Sequence, residues 1–107
     1  RNRYRREAQA RLRQLAPSAN IFAVNEVLKL TAMTATSRRE VAALTGLPWC
    51  RWLQTRTAAN IFSPDSLQIL GAALYDPESD VSVTQRDALV REAHLWIAQH
   101  EDDHGFG

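Results

Sequence analysis

The chain has little of what a disulfide scaffold, a membrane span or a strand-rich fold requires. A single cysteine, Cys50, rules out an internal disulfide. No apolar run approaches the roughly 18–20 residues that a spanning helix needs. No alternating strand pattern and no internal repeat occurs. No glycine-rich phosphate loop and no G-x-S-x-G elbow occurs. Hydrophobic residues make up 45% and charged residues 23%, which excludes disorder and fits one domain with its own core. The net charge of +1 hides an asymmetry. Residues 1–56 carry eleven basic against three acidic side chains, and residues 57–107 carry two against nine. Such halves can attract one another or face different partners.

The apolar periodicity is helical throughout. Arg1 to about Leu15 is rich in helix formers, Pro17 ends that segment, and Ser18 can cap the next. Ile21, Val24, Leu28, Thr31 and Ala35, widened by Phe22 and Val27, predict a second helix from about 19 to 35. Ser37-Arg-Arg-Glu40 has the form of a capping box, and Gly46 suits a left-handed helix stop. Pro48 fits the first turn of a fourth helix that runs to about Arg56. Ser63-Pro64-Asp65 starts a fifth, through about Tyr75. Ser82 with Gln85 starts a sixth, which carries Leu89, Ala93, Trp96, Ile97 and His100. The expectation is an all-α, compact bundle of about six helices, divided as a basic helix over 1–16 and a helical domain over 17–107.

Three patterns bear on chemistry. His100-Glu-Asp-Asp-His104 matches the zinc-protease spacing H-E-x-x-H. The chain supplies no third ligand downstream and places two aspartates inside the motif, so the segment reads as a solvated helix end. No catalytic, metal or cofactor residue is assigned, and no enzyme activity is expected. Cys50 has no histidine near it in sequence and reads as a small, partly buried thiol. Trp49, Trp52 and Trp96 read as core, with one of the first two left to anchor a partner.

Glu40 to Trp52 is helix-turn-helix-like, with Ala42 four residues before Gly46. In that reading Arg38, Arg39, Arg51 and Arg56 contact phosphates, and only Arg51 and Gln54 are left to read bases. A plain αα-corner accounts for the same pattern, so DNA binding is the alternative and not the main expectation. The arginines at 1, 3, 5, 6, 11 and 13 are spread around the first helix, with Tyr4 among them. That distribution suits the cytoplasmic flank of a spanning segment better than an interfacial amphipath. The start at Arg1 and not Met fits a chain preceded by such an anchor.

Three stretches carry a family resemblance: Arg3-Tyr-Arg-Arg-Glu-Ala8; Val27-Leu-Lys-Leu-Thr-Ala32 through Arg39-Glu-Val-Ala-Ala-Leu-Thr-Gly46 to Trp49 and Leu53; and Leu74-Tyr-Asp-Pro77 with Trp96-Ile97 and His100. Together they span nearly the whole chain. The sequence resembles a bacterial family of small inner-membrane-anchored proteins encoded beside MoxR-type AAA+ ATPases and von Willebrand factor A domain proteins. Thr36-Ser37 stands where a Tyr-Pro pair is common in that family, and Leu30 where a basic residue is common. The resemblance implies an anchor in the inner membrane, a helical domain facing the cytoplasm, and partners of the MoxR and von Willebrand type. It implies no catalytic residue. On this reading Arg1, Arg3, Tyr4, Arg5 and Arg6 lie at the membrane surface. Arg38, Arg39, Trp49, Arg51 and Arg56 are the residues expected to meet a partner protein.

Overall fold

Side-chain oxygens that precede apolar runs set most of the helix starts. Asn20 Oδ1 accepts from the Ala23 amide at 2.8 Å and opens the second helix. Ser63 Oγ caps the fifth through the Ser66 amide at 3.2 Å, with Pro64 at the first helical position. Ser82 and Gln85 form a complete capping box at 3.1 and 3.0 Å. At Ser37 only half of the box forms, the hydroxyl accepting from Glu40 N at 3.4 Å.

The computed structural model describes residues 3–15 and 20–103. In order, the helices are α1 (Arg3–Leu15), α2 (Ile21–Ala35), α3 (Arg38–Ala42), α4 (Gly46–Thr55), α5 (Pro64–Gly71) and α6 (Val83–Gln99). A 3₁₀ turn, Ala73–Tyr75, follows α5. The fold is all-α, and the described residues contain no strand. Two boundaries differ from expectation. Asn20 is the cap of α2, while Pro17 and Ser18 lie outside the described residues. The fifth helix stops at Gly71 because Ala72 leaves helical geometry (φ −142°, ψ −52°).

Helices α1, α2 and α6 pack on one another. Helix α3 lies on α2, and α4 packs on α5, which in turn meets α6. The core joins all of them: Leu12 from α1, Val24 and Leu28 from α2, Trp49 and Leu53 from α4, Leu70 from α5, and Leu89, Trp96 and Ile97 from α6 are fully buried. Helix α1 thus belongs to the same core as the rest, and Ala8 and Leu12 seat it. The expected stripe on α2 holds at Val24, Val27, Leu28, Thr31 and Ala35, but Phe22 points outward, 62% exposed.

Gly46 adopts the left-handed conformation, φ +63°. It begins α4 and does not close α3, which has already ended at Ala42. Beside it, α4 and α5 approach so closely that a Cβ at Gly71 would lie 3.3 Å from Cys50 Sγ. Gly46→Ala is expected to cost about 1–2 kcal/mol, because an L side chain is strained at this φ. Urea denaturation would check it; an unchanged midpoint would show that the turn relaxes.

Candidate functional site

Helix α6 ends with carbonyls that its own turns cannot satisfy. The fold brings Arg5 of α1 to them. Its guanidinium donates to Ile97 O at 2.8 Å and to His100 O at 2.7 Å. A fork of fixed geometry and positive charge thus sits at the negative end of the helix. His100, the C-cap residue of α6, turns inward and is 2% exposed. Its ring stacks on Trp96 at 4.3 Å, with 5° between the planes. Its Nε2 lies 2.8 Å from the Tyr4 hydroxyl, which is also 3.0 Å from Asp102 Oδ2. Arg5 and Asp102 form an ion pair at 3.6 Å.

Two proton arrangements each satisfy part of this cluster. With the proton on Nδ1, His100 donates to Ile97 O at 2.9 Å and Nε2 accepts from Tyr4. With it on Nε2, the ring donates to Tyr4, Tyr4 donates to Asp102, and Nδ1 accepts from Arg5 at 3.1 Å. Burial and the nearby Arg5 charge push the His100 pKa down to about 4. Burial and the hydrogen bond to Asp102 push Tyr4 up to about 12. Near neutral pH both side chains are therefore uncharged. A ring this enclosed offers no face to a substrate, and the cluster works as a clamp between α1 and α6. Arg5→Lys keeps the charge but loses the fork. We expect it to lower stability by about 1–2 kcal/mol, read from the thermal midpoint. An unchanged midpoint would mean that the fork adds nothing beyond a point charge.

The segment after α6 does further capping. Glu101 N–H donates to Arg56 O at 2.8 Å, and Asp103 N–H donates to Ala35 O at 2.9 Å. Asp103 also binds Arg56 at 2.9 Å and accepts a hydrogen bond from the Thr36 hydroxyl. Residues 100–103 therefore close the C-terminal ends of α2, α4 and α6 together. This corrects the reading of residues 100–104 as a solvated helix end. It also removes the zinc-protease geometry, because α6 stops at Gln99 and His100 is extended (ψ 148°). His104 lies outside the described residues.

The residues expected at the membrane surface divide. Arg3 and Arg6 are exposed. Tyr4 and Arg5 are half-buried and engaged with α6 and the segment after it, because Ala8 and Leu12 fix which side of α1 faces inward. Arg1 lies outside the described residues. Among the residues expected to meet a partner, Arg38, Arg39 and Arg51 are exposed. Trp49 is not: it is fully buried, donates from Nε1 to Asn25 Oδ1 at 2.8 Å, and lies under the Lys29 ammonium at 5.0 Å. Trp52, half-buried, stacks on Trp49 with ring centroids 5.9 Å apart. Arg56 covers the Trp52 ring at 4.7 Å while paired with Asp103, so its charge is used within the fold.

The helix-turn-helix pattern does not form the crossing that Ala42 suggested. Ala42 is exposed, α3 packs on α2 and α4 on α5. Cys50 is buried, its thiol 3.6 Å from Leu67 O, and burial raises its pKa. His94 is engaged with Gln9, across the α1–α6 contact.

The family model described as a domain of unknown function (DUF4381) matches residues 1–99. The chain belongs to this family. In this DUF4381 chain the match runs to the last residue of α6 and stops one short of His100. All six helices thus fall within the family unit, and the capping segment 100–103 follows it. No curated protein and no solved structure matches the chain.

Proposed function

We propose that this chain is a non-enzymatic protein-interaction domain. In this reading it is the cytoplasmic part of a protein anchored in the bacterial inner membrane. It works as an adaptor for a MoxR-type ATPase, a von Willebrand factor A protein, or both. The observation that carries the reading is the division of the arginines. Arg5 and Arg56 are used inside the fold. Arg3, Arg6, Arg38, Arg39 and Arg51 are exposed and have no ion pair among the described residues. Exposed guanidiniums held on a rigid frame favour planar acidic groups of a partner, and electrostatic attraction speeds the encounter. Those near the chain start suit an anionic lipid surface, where each contributes roughly 1 kcal/mol. The resemblance to proteins encoded beside MoxR-type ATPases and von Willebrand factor A proteins supplies the identity of the partners.

Affinity capture from cells that produce both candidates tests the proposal. The chain is expected to recover at least one of them. Recovery should fall at least about tenfold when Arg38, Arg39 and Arg51 are changed to glutamate together, a loss of about 1.4 kcal/mol. If neither protein is recovered with the unaltered chain, the adaptor reading fails.

A further inference from the structure

Between α1 and α2 the surface sinks into a groove of about 160 Å³. Ala8 and Val27 are buried at its floor, and the Thr31 hydroxyl beside them is bonded to Val27 O at 2.7 Å. Leu30 stands at the edge, 37% exposed. Arg11 of α1 and Arg38 at the start of α3 also line the groove. Both are exposed, and neither has an ion pair among the described residues. Glu7 lines the groove as well, so the two arginines leave a net positive charge around an apolar floor.

We infer that this groove is the docking site for an acidic, leucine-rich segment of a partner protein. The inference rests on the adaptor reading and adds the place and the chemistry of the contact. An aliphatic side chain would fill the apolar floor beside Leu30. Carboxylates flanking it would meet Arg11 and Arg38, where bidentate pairing adds direction to the attraction. A bilayer surface would use the same charge but cannot follow a concave floor. A nucleic acid backbone would pair with the arginines and leave Leu30 against water. The charge and the floor together therefore favour a peptide that carries both features.

The probe is acetyl-Leu-Glu-Glu-Leu-amide, titrated into the isotope-labelled chain and followed by amide NMR shifts. Its glutamine analogue is the comparison. The expected result is a set of shifts centred on Val27, Leu30, Thr31 and Arg38, with the glutamine analogue binding at least about tenfold more weakly. The double variant Arg11→Glu/Arg38→Glu should lose the response while keeping its dispersed spectrum. Arg91→Glu, on the exposed side of α6, should keep it. Shifts elsewhere, no shifts, or equal binding of the glutamine analogue would overturn the inference. So would vesicles of anionic lipid shifting the same amides while the peptide does not. If the double variant still captures the ATPase or the von Willebrand protein undiminished, the groove is discarded and the adaptor reading stands. Peptide binding in the groove without capture of either protein supports the groove and discards the adaptor reading.

Discussion

Trp96→Ala is expected to lower the unfolding free energy by about 3–5 kcal/mol, the usual cost of deleting a large buried aromatic side chain. Trp96 is fully buried in α6, and its Nε1 donates to Leu53 O at 2.9 Å. One face stacks on His100, and Trp52 meets it at 6.2 Å. Truncation therefore opens a cavity where α4, α6 and the capping segment meet. It also leaves the His100 ring without its stacking partner. Trp96→Phe, which keeps an aromatic ring but no N–H, should cost about 1–2 kcal/mol. Urea unfolding followed by far-ultraviolet circular dichroism reads both. A loss well below that of other core truncations would show that the tryptophan cluster contributes volume but little stability.

The second large effect is on acid stability. His100 has a pKa near 4 in the fold against an ordinary value of 6.5. Below pH 6.5 the unfolded chain takes up a proton that the folded chain refuses, so the unfolded state gains. Stability contributed by the neutral ring is thus complete above about pH 6.5 and declines as pH falls toward 4. By then roughly 3 kcal/mol has been lost, since each pKa unit is worth 1.36 kcal/mol. His94, also lowered by burial and by Arg13, acts in the same direction. The measurement is the urea midpoint across this window for the unaltered chain, His94→Gln and His100→Gln. His100→Gln should remove most of the slope between about pH 6.5 and 4 and lower the stability near neutral pH. A slope equal to that of the unaltered chain would mean that the imidazole is not held neutral by its burial.

Local signals in the sequence were enough for the helices. The spacing of Val24, Leu28, Thr31 and Ala35, and of Leu89, Ala93, Trp96 and Ile97, is a property of one element. It survives in the structure as two buried stripes. Ser82 with Gln85 was equally legible, because both partners of the capping box lie within four residues. Gly46 was recognised as left-handed but assigned to the wrong neighbour: α3 has only five residues and ends before the glycine is reached. The inward roles of Tyr4 and Arg5 were not legible. Their partners lie 92 to 98 residues away, and no periodicity within α1 announces them. Their tie to His100 could have been suspected only from the continuation of the α6 stripe to that position. The acidic residues that follow His100 argued instead for solvent. Trp49 showed the same limit. It shares a helix face with Leu53, but nothing local distinguished its burial from that of Trp52.

The segment 100–103 closes the ends of three helices and carries the partners of Tyr4 and Arg5. During synthesis, α1 leaves the ribosome before α2 to α6, yet the groups that clamp it are made after them. At the usual 5–20 residues per second, the clamp cannot close until roughly 5–20 s after Arg5 has been added. Throughout that interval α1 has α2 to pack against but lacks the α6 side of its seat. A nascent chain stalled at residue 96 should therefore be cut in α1 more readily than one released after residue 103.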